Sequence, residues 1–160
     1  MRKNGKGVLA IILTFPLMAM SADSVTLMPG LWEQTVTTTS LSIDGAARDL
    51  GDMPDRVKSY TTCISPEEAA NPTLFFMSRA GGGSCGKPTG TVADGKLALA
   101  ATCDGDTGAA IVELEGTYSA HQFAAAVKVQ STIRGAPAMA EIGITGTHKG
   151  LCPQADDADQ

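Results

Sequence analysis

Four cysteines (Cys63, Cys85, Cys103, Cys152), two histidines (His121, His148) and several close carboxylates are the residues of this 160-residue chain whose types could do chemistry. A zinc site favours a close C-x-x-C pair, and no two cysteines lie that near, so the even set reads as two disulfides. His121 and His148 could serve as metal ligands or a general base. They are far apart in sequence, without the tight spacing that makes a histidine pair suggestive, and read as surface side chains. Glu67-Glu68 and Glu113 with Glu115 resemble the paired carboxylates of acid–base catalysis. The first pair fits helix capping, and the second fits the wet face of a strand.

Asp104-Gly105-Asp106 and Asp156-Asp157 lack the regular oxygen spacing of a calcium loop. Gly81-Gly82-Gly83-Ser84 lacks the Lys-Ser/Thr of a phosphate loop, and no serine stands in a nucleophile-elbow context. The expectation is a non-enzymatic protein with no catalytic residue, metal or cofactor. The alternative is a hydrolase or isomerase whose site is not visible in the sequence.

The amino-terminal stretch sets the compartment. Arg2, Lys3 and Lys6 precede Val8 to Met20, which is apolar apart from Thr14, and Ala19-Met20-Ser21 supplies small residues at a cleavage point. Residues 1–21 read as a cleaved secretory signal peptide. As a helix the apolar run covers only about 20 Å, short of the roughly 30 Å hydrocarbon core, so no permanent membrane span is expected. A periplasmic, exported protein follows, in an oxidising compartment that suits disulfides. Cleavage leaves nine basic residues against seventeen acidic ones, a formal charge of −8. That acidic surface argues against nucleic acid and against electrostatic docking on anionic lipid. The mature chain is long enough for one domain that buries roughly two thirds of its unfolded surface. The organisation expected is a single β-rich domain over 22–152 and a disordered acidic tail, "PQADDADQ", over 153–160.

The elements that must position these residues are mainly strands. In "AAIVELEGTY" Ala110, Val112, Leu114 and Tyr118 share one face, with Glu113, Glu115 and Thr117 on the other. "HQFAAAVKVQSTIR" sets Phe123, Ala125, Val127, Val129 and Ile133 against Gln122, Lys128, Gln130 and Arg134. "MAEIGITGTHKG" turns Ile142 and Ile144 inward. Short glycine-rich connections argue for a meander with strands near 31–40, 109–119, 121–133 and 139–148 and a hairpin over 87–103. The fold class expected is mainly β: a single curved antiparallel sheet or partly open β-barrel, with one short helix and two disulfides. Ser65-Pro66-Glu67-Glu68 forms a capping box that starts the helix, and Asn71-Pro72 stops it within two turns, with Leu74, Phe75 and Phe76 beneath. The polar segment 42–57 reads as an exposed excursion or an edge hairpin.

Four cysteines allow three connectivities. Ala93-Asp94-Gly95 reads as a three-residue hairpin loop with Gly95 at the positive-φ bulge position. Val92 then opposes Lys96, and opposed residue numbers sum to 188, as do those of Cys85 and Cys103. If neither Pro88 nor the glycines at 81–83 end the pairing early, those two thiols face each other, leaving Cys63 to Cys152.

"PGLWEQTVTTT" early in the mature chain, "CISPEEA", two cysteines flanking a hairpin, a "GTY" strand and a terminal G-x-x-x-G-x-C ending at Cys152 together resemble the small exported bacterial proteins grouped as domain-of-unknown-function family 3617. The resemblance runs from about Leu27 to Cys152. It implies no agreed activity and no catalytic residues to carry over. The chain departs from the pattern at His148-Lys149, where relatives tend to show an arginine-containing pair.

The single tryptophan, Trp32, follows Pro29-Gly30 at the head of a threonine run and reads as a core plug whose N–H finds a carbonyl. The inward face, built from Trp32, Val112, Leu114, Phe123, Val127, Val129, Ile142 and Ile144, either fills itself or holds an apolar ligand. The functional expectation is a binding or accessory module of the cell envelope, with an apolar ligand or an envelope protein as partner.

Overall fold

A computed structural model describes residues 25–51, 53, 55–80, 84–105 and 108–153. The leader over 1–21, Gly81 to Gly83, Asp106 and the tail after Pro153, with Asp156-Asp157, lie outside the described residues. Among the described residues there are nine strands, in one antiparallel sheet that does not close, and two short helices. The strands are β1 (Gly30–Ile43), β2 (Ala46–Ala47), β3 (Val57–Ile64), β4 (Ser84–Cys85), β5 (Thr89–Ala93), β6 (Lys96–Gly105), β7 (Gly108–Tyr118), β8 (Gln122–Ile133) and β9 (Ala136–Gly150). Among the described residues no helix is long and apolar enough to cross a membrane.

The meander holds from β6 to β9, each strand pairing with the next. β1 departs from it, lying between β9 and β3. The alternation read in the sequence is the alternation of burial: Val112, Leu114 and Tyr118, then Phe123, Ala125 and Val127, then Ile144 face the core, while Glu113, Glu115 and Lys128 are exposed. β1 carries two register shifts against β9, at Leu31/Trp32 and Thr38/Ser40. Such irregularities bend a strand, and β1 needs the bend to follow the curved sheet over fourteen residues.

The helical segment corrects the expectation of one helix. α1 (Pro66–Ala70) has the expected capping box, with Ser65 Oγ accepting from Glu68 N at 3.2 Å and Glu68 Oε2 accepting from Ser65 N at 2.9 Å. Asn71-Pro72 ends that helix but starts a second, α2 (Pro72–Ala80). Asn71 Oδ1 accepts from Leu74 N at 3.2 Å, so one Asn-Pro pair stops one helix and caps the next. α2 buries Phe75, Phe76 and Met77, whereas Leu74, expected beneath the helix, is half exposed.

β3 was not anticipated. It is a polar edge strand, exposed over most of its length, and it lacks the apolar alternation that reveals the inner strands. Its β-forming residues Val57, Tyr60, Thr61 and Thr62 were the available signal. Segment 42–57 makes an edge hairpin, in which β1 runs to Ile43 and β2 returns against it.

The β5–β6 loop has two residues, not three. Asp94 and Gly95 both take positive φ, 51° and 73°, the requirement of a type I′ turn, so Ala93 rather than Val92 opposes Lys96. Carried straight on, that register would miss Cys103 by one residue. Gly86-Lys87-Pro88 leaves the ladder, and the pairing resumes with Cys85 opposite Cys103. The disulfide Cys85–Cys103 forms as expected, although the pairing does break at Pro88, where the register argument needs an uninterrupted hairpin. Cys63–Cys152 is the second bridge, with Cα atoms 5.6 Å apart. Leu31 of β1 pairs with both Cys63 and Gly150, so this bridge joins the strands on either side of the start of β1.

The double variant Cys63→Ser/Cys152→Ser opens a loop spanning 89 residues and is expected to lose about 4 kcal/mol in urea denaturation. A loss under about 1 kcal/mol would mean that strand pairing alone holds the two ends together.

Candidate functional site

Trp32 sits one residue into the regular part of β1 and is 0% exposed. Its Nε1 donates to Met28 O at 2.8 Å, the carbonyl partner that a buried indole requires. Its ring stacks on Phe123, with centres 5.5 Å apart and planes tilted by 29°. The two belong to β1 and β8, which are separated by β9, and the β9 residue between them is Gly146, paired with Gln34 on one side and Phe123 on the other. A Cβ at Gly146 would overlap the Phe123 ring. The missing side chain lets Phe123 lie across β9 and reach Trp32.

α2 closes this aromatic group from above. Phe75 and Phe76 meet each other edge-on at 5.0 Å and meet Phe123 at 5.6 and 5.3 Å. Every residue expected on the ligand face is part of the same packing. Trp32, Val112, Leu114, Phe123, Val127 and Ile144 are buried in the core, and Val129 and Ile142 pack against it half-buried. The space left beside Leu114, Phe123 and Ile144 is about 10 Å³, room for one water molecule.

That small cavity has a polar rim. Gln34 is 0% exposed; its Oε1 accepts from the Tyr60 hydroxyl at 3.1 Å, and its Nε2 has no partner. Arg79 enters from α2, with its guanidinium 4.7 Å over the Phe75 ring, Nη1 donating to Thr62 Oγ1 at 3.3 Å and Nη2 3.8 Å from Glu68 Oε1. Its Nε is likewise without a partner. Glu68 therefore serves the cap and this loose ion pair. Burial and the Asp94 carboxylate push the Tyr118 phenol above its usual 10.0, against a weaker opposing effect of the Gly95 backbone. The phenol stays protonated at neutral pH.

Two surface features stand outside the core. A groove of about 480 Å³ crosses one end of the sheet, lined by Ser42, Thr102, Ile111, Gln130, Pro137 and Met139, with Ile111 and Met139 half exposed. The second is the edge of the sheet at β3. Among the described residues β3 pairs with β1 alone, and Val57 and Tyr60 are 56% and 40% exposed.

The histidines are the residues the sequence reading separated and the fold brings together. His148 N donates to His121 O at 2.9 Å, joining β9 to the β7–β8 turn, and the two rings lie 5.5 Å apart. The signal available in the sequence was the strand pattern itself, which brings the β7–β8 turn alongside the end of β9. Among the described residues no group of three or more His, Cys, Asp or Glu side chains could hold a metal ion.

The chain belongs to the family described as "Protein of unknown function (DUF3617)", whose model matches residues 27–152. The match covers the whole sheet, both helices and both disulfides. No curated protein and no solved structure matches the chain.

Two substitutions test this packing. Gly146→Ala drives a methyl into a Phe123 ring already held by Trp32, Phe75 and Phe76. It is expected to cost about 1–3 kcal/mol and to shift Trp32 emission; unchanged stability would mean that Phe123 swings aside freely. Gln34→Leu removes a buried donor that has no partner and leaves the exposed Tyr60 hydroxyl to water. Stability is expected to change by less than about 1 kcal/mol or to rise, and a loss above about 2 kcal/mol would show that Gln34 Nε2 is satisfied in solution.

Proposed function

We propose that this protein is an exported, non-enzymatic binding module of the bacterial cell envelope, and that its partner is an extended protein segment added along β3. The observation that carries this reading is the condition of that edge. An edge strand exposes a row of main-chain donors and acceptors, and natural sheets blunt such rows with prolines, bulges, charged side chains, lysine above all, or very short strands. β3 has eight residues with neither proline nor glycine, and Lys58 is its single charged side chain. The opposite edge is treated differently: β4 and β5 are two and five residues long, separated by Gly86-Lys87-Pro88, with Gly90 inside β5. One edge is guarded and the other is left able to accept a strand, the arrangement that strand-addition modules use.

The filled core supports the same reading against a buried apolar ligand. Phe75 and Phe76 occupy the space over Leu114 and Phe123 that such a ligand would need, and pockets for small molecules run to about 300–1,000 Å³. Export draws its support from the leader pattern in the sequence and from two disulfides, which persist in oxidising compartments.

In-cell photo-crosslinking tests the proposal, with a photoreactive residue placed at Thr61 on β3 or at Thr91 on β5. Discrete protein adducts are expected from Thr61 and not from Thr91, and Ser59→Lys, which charges the edge, is expected to abolish them. Equal adducts from both edges, or a reproducible lipid mass carried by the protein in native mass spectrometry without any adduct at Thr61, would refute it.

A further inference from the structure

We propose that His121 and His148 form a two-histidine site for a divalent transition-metal cation, Cu(II) foremost. The fold fixes the tautomer of His148. Its Nε2 lies 3.2 Å from Pro29 O. A carbonyl oxygen has no hydrogen to give, so Nε2 carries the proton and donates. In the neutral ring that leaves Nδ1 unprotonated, with its lone pair available. Ligating histidines characteristically donate the other ring N–H to a backbone carbonyl in this way, which fixes tautomer and ring direction.

The carbonyl can come this close because residue 30 is glycine: a Cβ there would stand 2.7 Å from His148 Nε2. Trp32 packs against the same ring, with centres 5.6 Å apart and planes at 71°. His148 is thus half-buried and braced by backbone and indole, whereas His121 is exposed on the adjacent turn.

The spacing fits one shared ion. A metal about 2.0–2.1 Å from each ligating nitrogen lies roughly 3.2 Å from each ring centre, so two imidazoles on one ion have centres about 4.5 Å apart at a right angle, about 5.5 Å at a roughly trigonal angle and about 6.4 Å when opposed. The observed separation is 5.5 Å, with the planes tilted by 59°. With no third protein ligand among the described residues, water completes the coordination. Imidazole nitrogens suit copper, nickel and zinc, and binding strength at a given site peaks at Cu(II). The chain is acidic, with a formal charge of −5 over its 160 residues and of −8, nine basic against seventeen acidic residues, without residues 1–21, and attracts cations rather than repelling them.

Trp32 provides the test, because it is the single tryptophan and it touches His148. Copper(II) chloride is titrated into the purified full-length protein, oxidised at both disulfides, while indole emission is followed, and electron paramagnetic resonance records nitrogen coupling on the bound ion. The expected result is saturable one-to-one quenching with imidazole nitrogen coupling, and at least tenfold weaker binding in His121→Ala. His121 is exposed, so that variant keeps its fold, which circular dichroism verifies. Quenching of equal affinity in His121→Ala would assign the copper to other groups, such as carboxylates, and overturn the site. A spectrum without nitrogen coupling, or quenching that never saturates, would overturn it as well.

Discussion

Phe123 reaches across a strand without a side chain to stack on Trp32, and most of the core is arranged around that contact. Gly146 makes the crossing possible, and two phenylalanines of α2 then pack on the far side of the Phe123 ring. Three consecutive sheet positions, Gln34, Gly146 and Phe123, are therefore coupled with a helix distant in sequence from all of them. An aromatic group of this kind contributes through burial and through edge-to-face geometry, which favours definite ring placements over a sliding contact. In a chain poor in aromatics, concentrating them at one place gives a small sheet a rigid centre. The Cys63–Cys152 bridge secures that centre by joining the strands flanking the start of β1, two positions from the indole.

The same packing shapes what the molecule can offer to others. Filling the inner face with α2 leaves a cavity beside Leu114, Phe123 and Ile144 no larger than a water molecule. The polar groups admitted to the core, Gln34 and Arg79, each keep one nitrogen without a partner, and buried polar groups of that sort weaken a core more than they strengthen it. The residues at its open end, Trp32, His148 and Gly30, serve packing first. Their side effect is a histidine ring held at a set angle against a backbone carbonyl.

Much of the architecture was legible in the sequence because half-buried strands write their burial into a period of two. Val112, Leu114, Phe123, Val127 and Ile144 were placed inward by that period alone, and they are inward. Ser65 and Glu68 announced the helix start through the spacing of a capping box. β3 escaped because an edge strand with both faces wet has no alternation to display. The β5–β6 register escaped for a different reason. Asp-Gly is compatible with both a two-residue and a three-residue loop, and only the twist of the flanking strands selects the first. The Cys85–Cys103 pairing survived that slip because Gly86-Lys87-Pro88 absorbs one residue outside the ladder.

By itself the sequence determined the class of fold, the inner and outer faces of the long strands and the role of Trp32 as a plug with its N–H on a carbonyl. These are local properties, set by alternation, capping, chain spacing and the polarity of single side chains. Tertiary structure alone decided that α2 fills the concave face, that β3 forms an open edge, and that His121 and His148 lie beside one another. Each of these depends on strands distant in sequence being brought side by side. Which residues meet across such a sheet is set by register, and register follows from turns, bulges and the one glycine that lets an aromatic ring pass over its strand.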